Sequence, residues 1–233
     1  MSRTTKPARP VAASPPPAPG SPLRRSPGWL RRGRHGLAGH RLRPAKTGLV
    51  ALRDGSRVLI RPVQSTDAAL LADGFARLSP RSRQLRFLTR KKQLSSAELR
   101  YFTDVDHHDH EALVALNPLD GRGVGIARYI RHAGDPCAAE IAVTIVDDWQ
   151  GRGLGTELVA RLSGRARSEG IRRFTALVAE DNVAVARMLR STSARLADRG
   201  LGADEYEITL TPPGKSAAAP AAGPCQDPVR VPC

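Results

Sequence analysis

Between Glu140 and Leu158 three patterns follow one another without interruption. Ile141, Val143 and Ile145 alternate at period two, as a strand does. The stretch Asp147-Asp148-Trp149-Gln150-Gly151-Arg152-Gly153-Leu154-Gly155 comes next, and Leu154, Leu158 and Leu162 then repeat at helical spacing. A strand is therefore expected to enter a helix through a glycine-bent loop. Glycines at 151, 153 and 155 allow tight turning and a close backbone approach to a ligand. The free amides and the dipole at such a helix start form an anion site suited to a pyrophosphate, to which Arg152 adds a cation. This order restricts the chain to α/β architectures.

Two familiar phosphate loops fit poorly. A Walker loop ends in Gly-Lys-Ser/Thr, whereas Gly155-Thr156 has no lysine. A dinucleotide fingerprint needs G-x-G-x-x-G, and Gly151 to Gly155 reads G-x-G-x-G. Taken alone, the loop also fits a glycine-rich turn with no ligand.

The flanking sequence alternates between helix and strand signals. Val58-Leu59-Ile60 reads as a strand, and Ser65-Thr66-Asp67 as a helix start before Ala68, Leu70, Leu71 and Phe75. Ser79-Pro80 opens a second helix with proline at its first position. Ser95-Ser96-Ala97-Glu98 is a capping box for a third. Ala112–Leu116, Val124–Ile130 and Cys137–Val146 read as strands separated by the turn residues Asn117–Gly121 and Gly134-Asp135-Pro136. Gly170 closes the helix that starts near Gly153, and Phe174–Val178 is the following strand. Asp181-Asn182 caps a helix through about Ser193, and Tyr206–Leu210 is the last strand.

Charge divides the chain. The formal net charge is +15, yet residues 1–53 carry 12 Lys/Arg and no acid, while residues 54–210 carry 23 basic against 21 acidic side chains. Nine of the 19 prolines also lie in the first 53 residues. The expectation is a disordered basic arm (1–53), one near-neutral domain (54–211) and a disordered Pro/Ala-rich tail (212–233). Nucleic-acid binding is then supported only weakly, through the arm, because the domain has no recognisable nucleic-acid fold and the arm's lone Trp29 gives no stacking pattern. No run approaches the ~18 apolar residues that span a bilayer, and no apolar segment follows the early cations as in a secretory signal. Three cysteines do not form a disulfide framework, so a reduced cytoplasmic setting is expected.

Gln150-x-x-Gly153-x-Gly155 after an apolar strand resembles the acetyl-CoA-binding motif Arg/Gln-x-x-Gly-x-Gly/Ala of the GNAT N-acetyltransferase superfamily. The resemblance extends from about Arg57 to Leu210. Ala139-Glu140-Ile141-Ala142-Val143 and Ser79–Phe87 further resemble the bacterial protein-lysine acetyltransferase branch. It implies a mixed, largely antiparallel central sheet flanked by helices and splayed at the cofactor strand. It implies acetyl-CoA as co-substrate, held by the backbone of Val143, Thr144 and Ile145 along the pantetheine arm. A bulge in that strand would produce the splay. The amides of Gln150, Gly151, Arg152, Gly153, Leu154, Gly155 and Thr156 would bind the pyrophosphate. Asn182 matches a pantetheine-contacting position, although an ordinary helix cap explains it equally well. Relatives often carry a tyrosine acid seven residues beyond that asparagine, where this chain has Leu189.

Glu140 is the candidate base. An amine near neutral pH is mostly ammonium, with lysine near ~10.4, and must lose a proton before attacking a thioester. A carboxylate within an apolar run is costly unless it is paired or faces a wet cleft, and alternation also permits a plain solvent-facing role. The Asp106-His107-His108-Asp109-His110 loop lacks metal-ligand spacing, and no metal is expected. Gly121–Gly125 reads as a hairpin, and Cys137 as a core residue. The acceptor is a primary amine, a protein lysine or a small molecule. A non-catalytic acetyl-CoA sensor is the alternative.

Overall fold

The computed structural model describes residues 47–190 and 194–210, with only the backbone of Arg190. Residues 1–46 of the arm and the whole tail, 212–233, for which disorder is expected, lie outside the described residues. So does the final turn expected up to Ser193.

Eight strands form one sheet in the order β1-β2-β3-β4-β5-β6-β8-β7. They are β1 Gly48–Ala51, β2 Arg57–Pro62, β3 His110–Leu116, β4 Gly123–His132, β5 Asp135–Ile145, β6 Arg173–Ala179, β7 Ala194–Arg199 and β8 Ala203–Thr209. Every neighbouring pair is antiparallel except β5 and β6, which are parallel and joined by the crossover helix α4, Leu154–Ser168. The mixed, largely antiparallel α/β architecture is the one expected.

Among the described residues three short helices precede β3: α1 Ala68–Ala76, α2 Pro80–Phe87 and α3 Ser96–Thr103. Their starts follow from local chemistry. The Ser79 hydroxyl accepts the Ser82 amide, with Pro80 at the first helical position. Ser95 and Glu98 close a reciprocal capping box. The α1 start differs from expectation, because Ser65–Asp67 form a 3-10 turn. Asp67 does not cap α1 with its side chain; it is buried and takes a forked bond from Arg61 at 2.7 and 2.8 Å.

The two faces of the sheet are covered differently. Leu154, Leu158, Leu162 and Ala166 of α4 pack on Leu113, Ala127, Tyr129, Ile141 and Phe174. On the other face Leu70 and Leu71 of α1 pack against Ala112, Val114 and Leu116. Helix α5, Val183–Arg190, adds Leu189, Met188 and Val185 to the first layer.

Two strands depart from the sequence reading. The boundary at 53 placed Gly48–Ala51 in the arm, yet they pair with Arg57–Ile60 of β2. Their apolar run is short and sits in a basic context, so no periodicity marks it. β7 is mostly exposed, and its charged residues gave no alternation to read. No helix among the described residues is long and apolar enough to cross a membrane.

Candidate active site

β5 and β6 pair only at Ala138↔Arg173, Ala139↔Phe174 and Glu140↔Thr175. Beyond Glu140 the two strands part, while β5 stays paired with β4 from Ala139↔Arg131 to Ile145↔Gly125. The β6-facing edge of Ile141–Ile145 therefore has no strand partner among the described residues. The splay is present, but its cause differs from expectation. The β4–β5 register runs unbroken through Val143, Thr144 and Ile145, and its one shift lies at Arg131/His132. Divergence of β6, rather than a bulge, opens this edge.

The strand leads into a 3-10 turn, Asp147–Trp149, and then the glycine loop. Gly151 and Gly153 adopt φ of 76° and 90°, which disfavours any side chain. Gly153 is the N-cap of α4. The amides of Leu154, Gly155 and Thr156 thus lack a carbonyl one turn back, the arrangement that holds an anion. The Gln150 amide donates to the Asp147 carbonyl at 3.1 Å, and its side chain donates to the Ile145 carbonyl at 3.0 Å. Gln150 thereby fixes the strand exit.

Arg152 is engaged by neighbours: Asp54 at 3.2 Å, the Asp148 carbonyl at 2.6 Å, and the Trp149 ring at 4.7 Å. A second cation at this loop was not read from the sequence. The Arg53 side chain covers Gly153, 3.2 Å from where a Cβ would stand, and its amide donates to the Arg152 carbonyl. With Thr156 and Gly153, Arg53 and Arg152 line a polar groove. Assigning residue 53 to the arm concealed it.

Asp147 ties the loop to α2. It accepts the Ser79 amide at 3.0 Å and the Ser79 and Ser82 hydroxyls at 2.8 Å each. Partial burial disfavours its charge, but these donors outweigh burial and hold its carboxyl below the usual range.

Glu140 is exposed, on the sheet face covered by α1–α3. Its exposure fits both a cleft-facing and a plain solvent-facing carboxylate, the two readings its sequence context permitted. Arg86, Arg128 and Tyr101 feel its charge. Asn182 follows β6, and its side-chain oxygen accepts the Val185 amide at 3.2 Å, a helix-cap bond. Leu189 is 3% exposed and packed in the core.

The Asp106–His110 loop serves another purpose. His107 contacts Glu111 at 2.7 Å, and Arg165 of α4 reaches Glu111 at 3.0 Å and Glu169 at 3.0 Å. Glu111 is 0% exposed, so this is a buried ion network clamping β3 to α4. Among the described residues no cluster of three or more ligand-type side chains could hold a metal.

The geometry is that of a mixed sheet forking between β5 and β6 beside a glycine-bent loop that opens a helix. The chain belongs to the GNAT acetyltransferase family, whose domain model matches residues 57–194. It is similar to Acetyltransferase Pat of Mycolicibacterium smegmatis, 31% identical over 163 residues, covering 70% of this chain and 49% of that protein. The chain thus spans about half the length of that relative. It is also similar to Acetyltransferase PA5475 of Pseudomonas aeruginosa, 41% identical over 126 residues, covering 53% of this chain and 67% of that protein. The GNAT domain of S. lividans PAT superposes with a TM-score of 0.65 at 29% identity, covering 70% of this chain and 96% of that one.

Proposed function

We propose that this chain transfers an acetyl group from acetyl-CoA to a primary amine by direct attack, with Glu140 as the base. The fork that begins at Glu140 carries this reading. It puts a carboxylate immediately before the unpaired edge of β5, on which a thioester can lie.

The amides of Gly151–Thr156 bind the pyrophosphate, with Arg53 and Arg152 beside them. The backbone of Val143, Thr144 and Ile145 binds the pantetheine arm, and an N–H there stabilises negative charge developing on the thioester oxygen. Loss of one such donor costs about 3–4 kcal/mol in other enzymes. Asn182 borders this arm from the start of α5. Glu140, directly or through water, takes the proton from the acceptor ammonium as the nitrogen bonds to the carbonyl carbon. The departing thiolate takes its proton from solvent, because Leu189 cannot supply one.

The likeness of Ala139–Val143 and Ser79–Phe87 to the protein-lysine branch supports a protein lysine as acceptor, in a cytoplasmic setting. The test is thiol release from acetyl-CoA across lysine peptides and small amines, with parent and Glu140→Gln proteins. Unchanged turnover in that variant removes Glu140 from the base role. Buried Leu189, in place of an acid, favours a second reading as a non-catalytic acetyl-CoA sensor. Tight binding without thiol release from any acceptor would establish it.

A further inference from the structure

The sheet face that carries Glu140 also holds a buried cation, one nitrogen of which has no acceptor among the described residues. The register sets His110, Ile130 and Glu140 in one cross-strand row and Ala112, Arg128 and Ala142 in the next. Arg128 is 7% exposed. Its guanidinium lies 3.7 Å from the centre of the Phe102 ring and 5.9 Å from that of Tyr101. Stacking covers the flat face of a guanidinium but does not satisfy the N–H groups on its edge. Nη1 of Arg128 is buried and has no hydrogen-bond partner among the described residues.

Buried charges are ordinarily paired, because an unpaired one loses its hydration without compensation. At Arg128 burial and then the nearby Arg86 charge act against the charged form, and they outweigh the support from Tyr101 and Glu140. One row along, Nε2 of His110 is also buried and without a partner. Burial and then Arg128 push that imidazole down to about 4, so it is neutral near pH 7.

Arg128 lines a cavity with Arg86, Phe87, Phe102, Ala142 and Thr144. Among the described residues the two arginines are its only charged lining residues, and the rest is predominantly apolar. Ala142 and Thr144 belong to the forked stretch of β5, so the cavity adjoins the place where the acyl group is bound in the reading above. A guanidinium edge matches a carboxylate bidentately, and a poorly hydrated setting strengthens the pair.

We propose that this cavity is a carboxylate site, in which Arg128, backed by Arg86, binds a carboxylate presented beside the thioester. The carboxylate belongs either to the acceptor amine or to the far end of a dicarboxylic acyl group. The cavity's place beside the acyl group rests on the acyltransferase reading, but carboxylate binding can be measured without turnover. With an amino-acid acceptor, Arg128 takes the carboxylate and Glu140, one row away, faces the ammonium.

Calorimetric titration of the full chain with glutarate and glutaramide decides the site. Glutarate is expected to bind at least about tenfold tighter, and Arg128→Met to abolish the difference. Equal binding of the two by the parent protein overturns the proposal and needs no variant. Two turnover arms then separate the sources. One compares free amino acids with their amides under acetyl-CoA; the other compares succinyl-CoA with butyryl-CoA on one amine. Preference for the carboxylate in the first arm assigns it to the acceptor, and in the second to the acyl group. Turnover with no preference in either arm overturns the proposal. If no acyl transfer occurs at all, the catalytic reading fails while the glutarate titration still decides the site.

Discussion

Ser79 and Asp147 are joined twice across the domain, amide to carboxylate at 3.0 Å and hydroxyl to carboxylate at 2.8 Å. One is the N-cap of α2, the other opens the turn after β5. Helix α2 and the glycine loop are therefore fixed to one carboxylate. Asp147→Ala leaves three donors without their acceptor and is expected to cost about 1–3 kcal/mol. It should also raise KM for acetyl-CoA, read by thermal unfolding and thiol release.

Glu140→Gln keeps the size and exposure of the side chain and removes its basicity. A positioned base contributes typically 10²–10⁴-fold, and a kcat loss of about that size is expected near neutral pH. Acetyl-CoA affinity, measured by calorimetry, should stay within about twofold, because no backbone donor of the loop changes.

The glycines of the site answer to different constraints. Gly153→Ala forces a side chain to φ 90° beneath Arg53, at a cost of roughly 1–2 kcal/mol, and should weaken acetyl-CoA binding. Gly125→Ala places a Cβ 2.8 Å from Ile145 Cδ1 and 3.2 Å from Leu154. Overpacking of about 1–3 kcal/mol is expected there, and it should displace the cofactor strand. Unfolding curves with and without acetyl-CoA separate the two effects.

Acid should weaken the fold through Asp67 and Asp147. Burial opposes ionisation of each, yet the bonds from Arg61 and from Ser79 and Ser82 prevail, and both sit below the ordinary 3.8. Their contribution is complete above 3.8 and is lost as pH falls through the lower folded values. Asp67→Asn should flatten the acid limb of the Tm-against-pH curve. His107 has the opposite sign. Its bond to Glu111 raises it above 6.5, so its contribution is present below 6.5 and is lost as pH rises through the folded value. His107→Gln should remove that alkaline slope.

Arg165→Met leaves Glu111 buried without its cation and is expected to cost about 3–5 kcal/mol. The double substitution with Glu111→Leu should recover much of that loss. Denaturant unfolding of both variants tests the coupling.

Local chemistry was legible and long-range pairing was not. The Ser79 cap, the Ser95–Glu98 box and the alternation of Ile141, Val143 and Ile145 each depend on neighbours within a few residues. Gly48–Ala51 form a strand only because β2 lies beside them, and their own sequence does not require it. Glu111 looks misplaced at the head of an apolar run until Arg165, 54 positions later, arrives from α4. Arg128 carried no signal within its apolar strand; its isolation depends on which side chains fail to reach it. The glycine loop was readable because glycine spacing and the following helix lie in one contiguous stretch. The fork was reached through family resemblance, and its origin in the departure of β6 required the register itself.

That departure has a consequence for tolerance to change. Glu140 and the unpaired edge are consecutive parts of one strand, so their separation is a number of residues at about 3.4 Å each. Lengthening β5 by one residue between Glu140 and Val143 would shift the carboxylate along the strand and turn it to the α4 face. Sequence length within this segment thus acts as a ruler between the carboxylate and the unpaired edge, and insertions should be tolerated at the Gly134 hairpin but not three residues past Cys137.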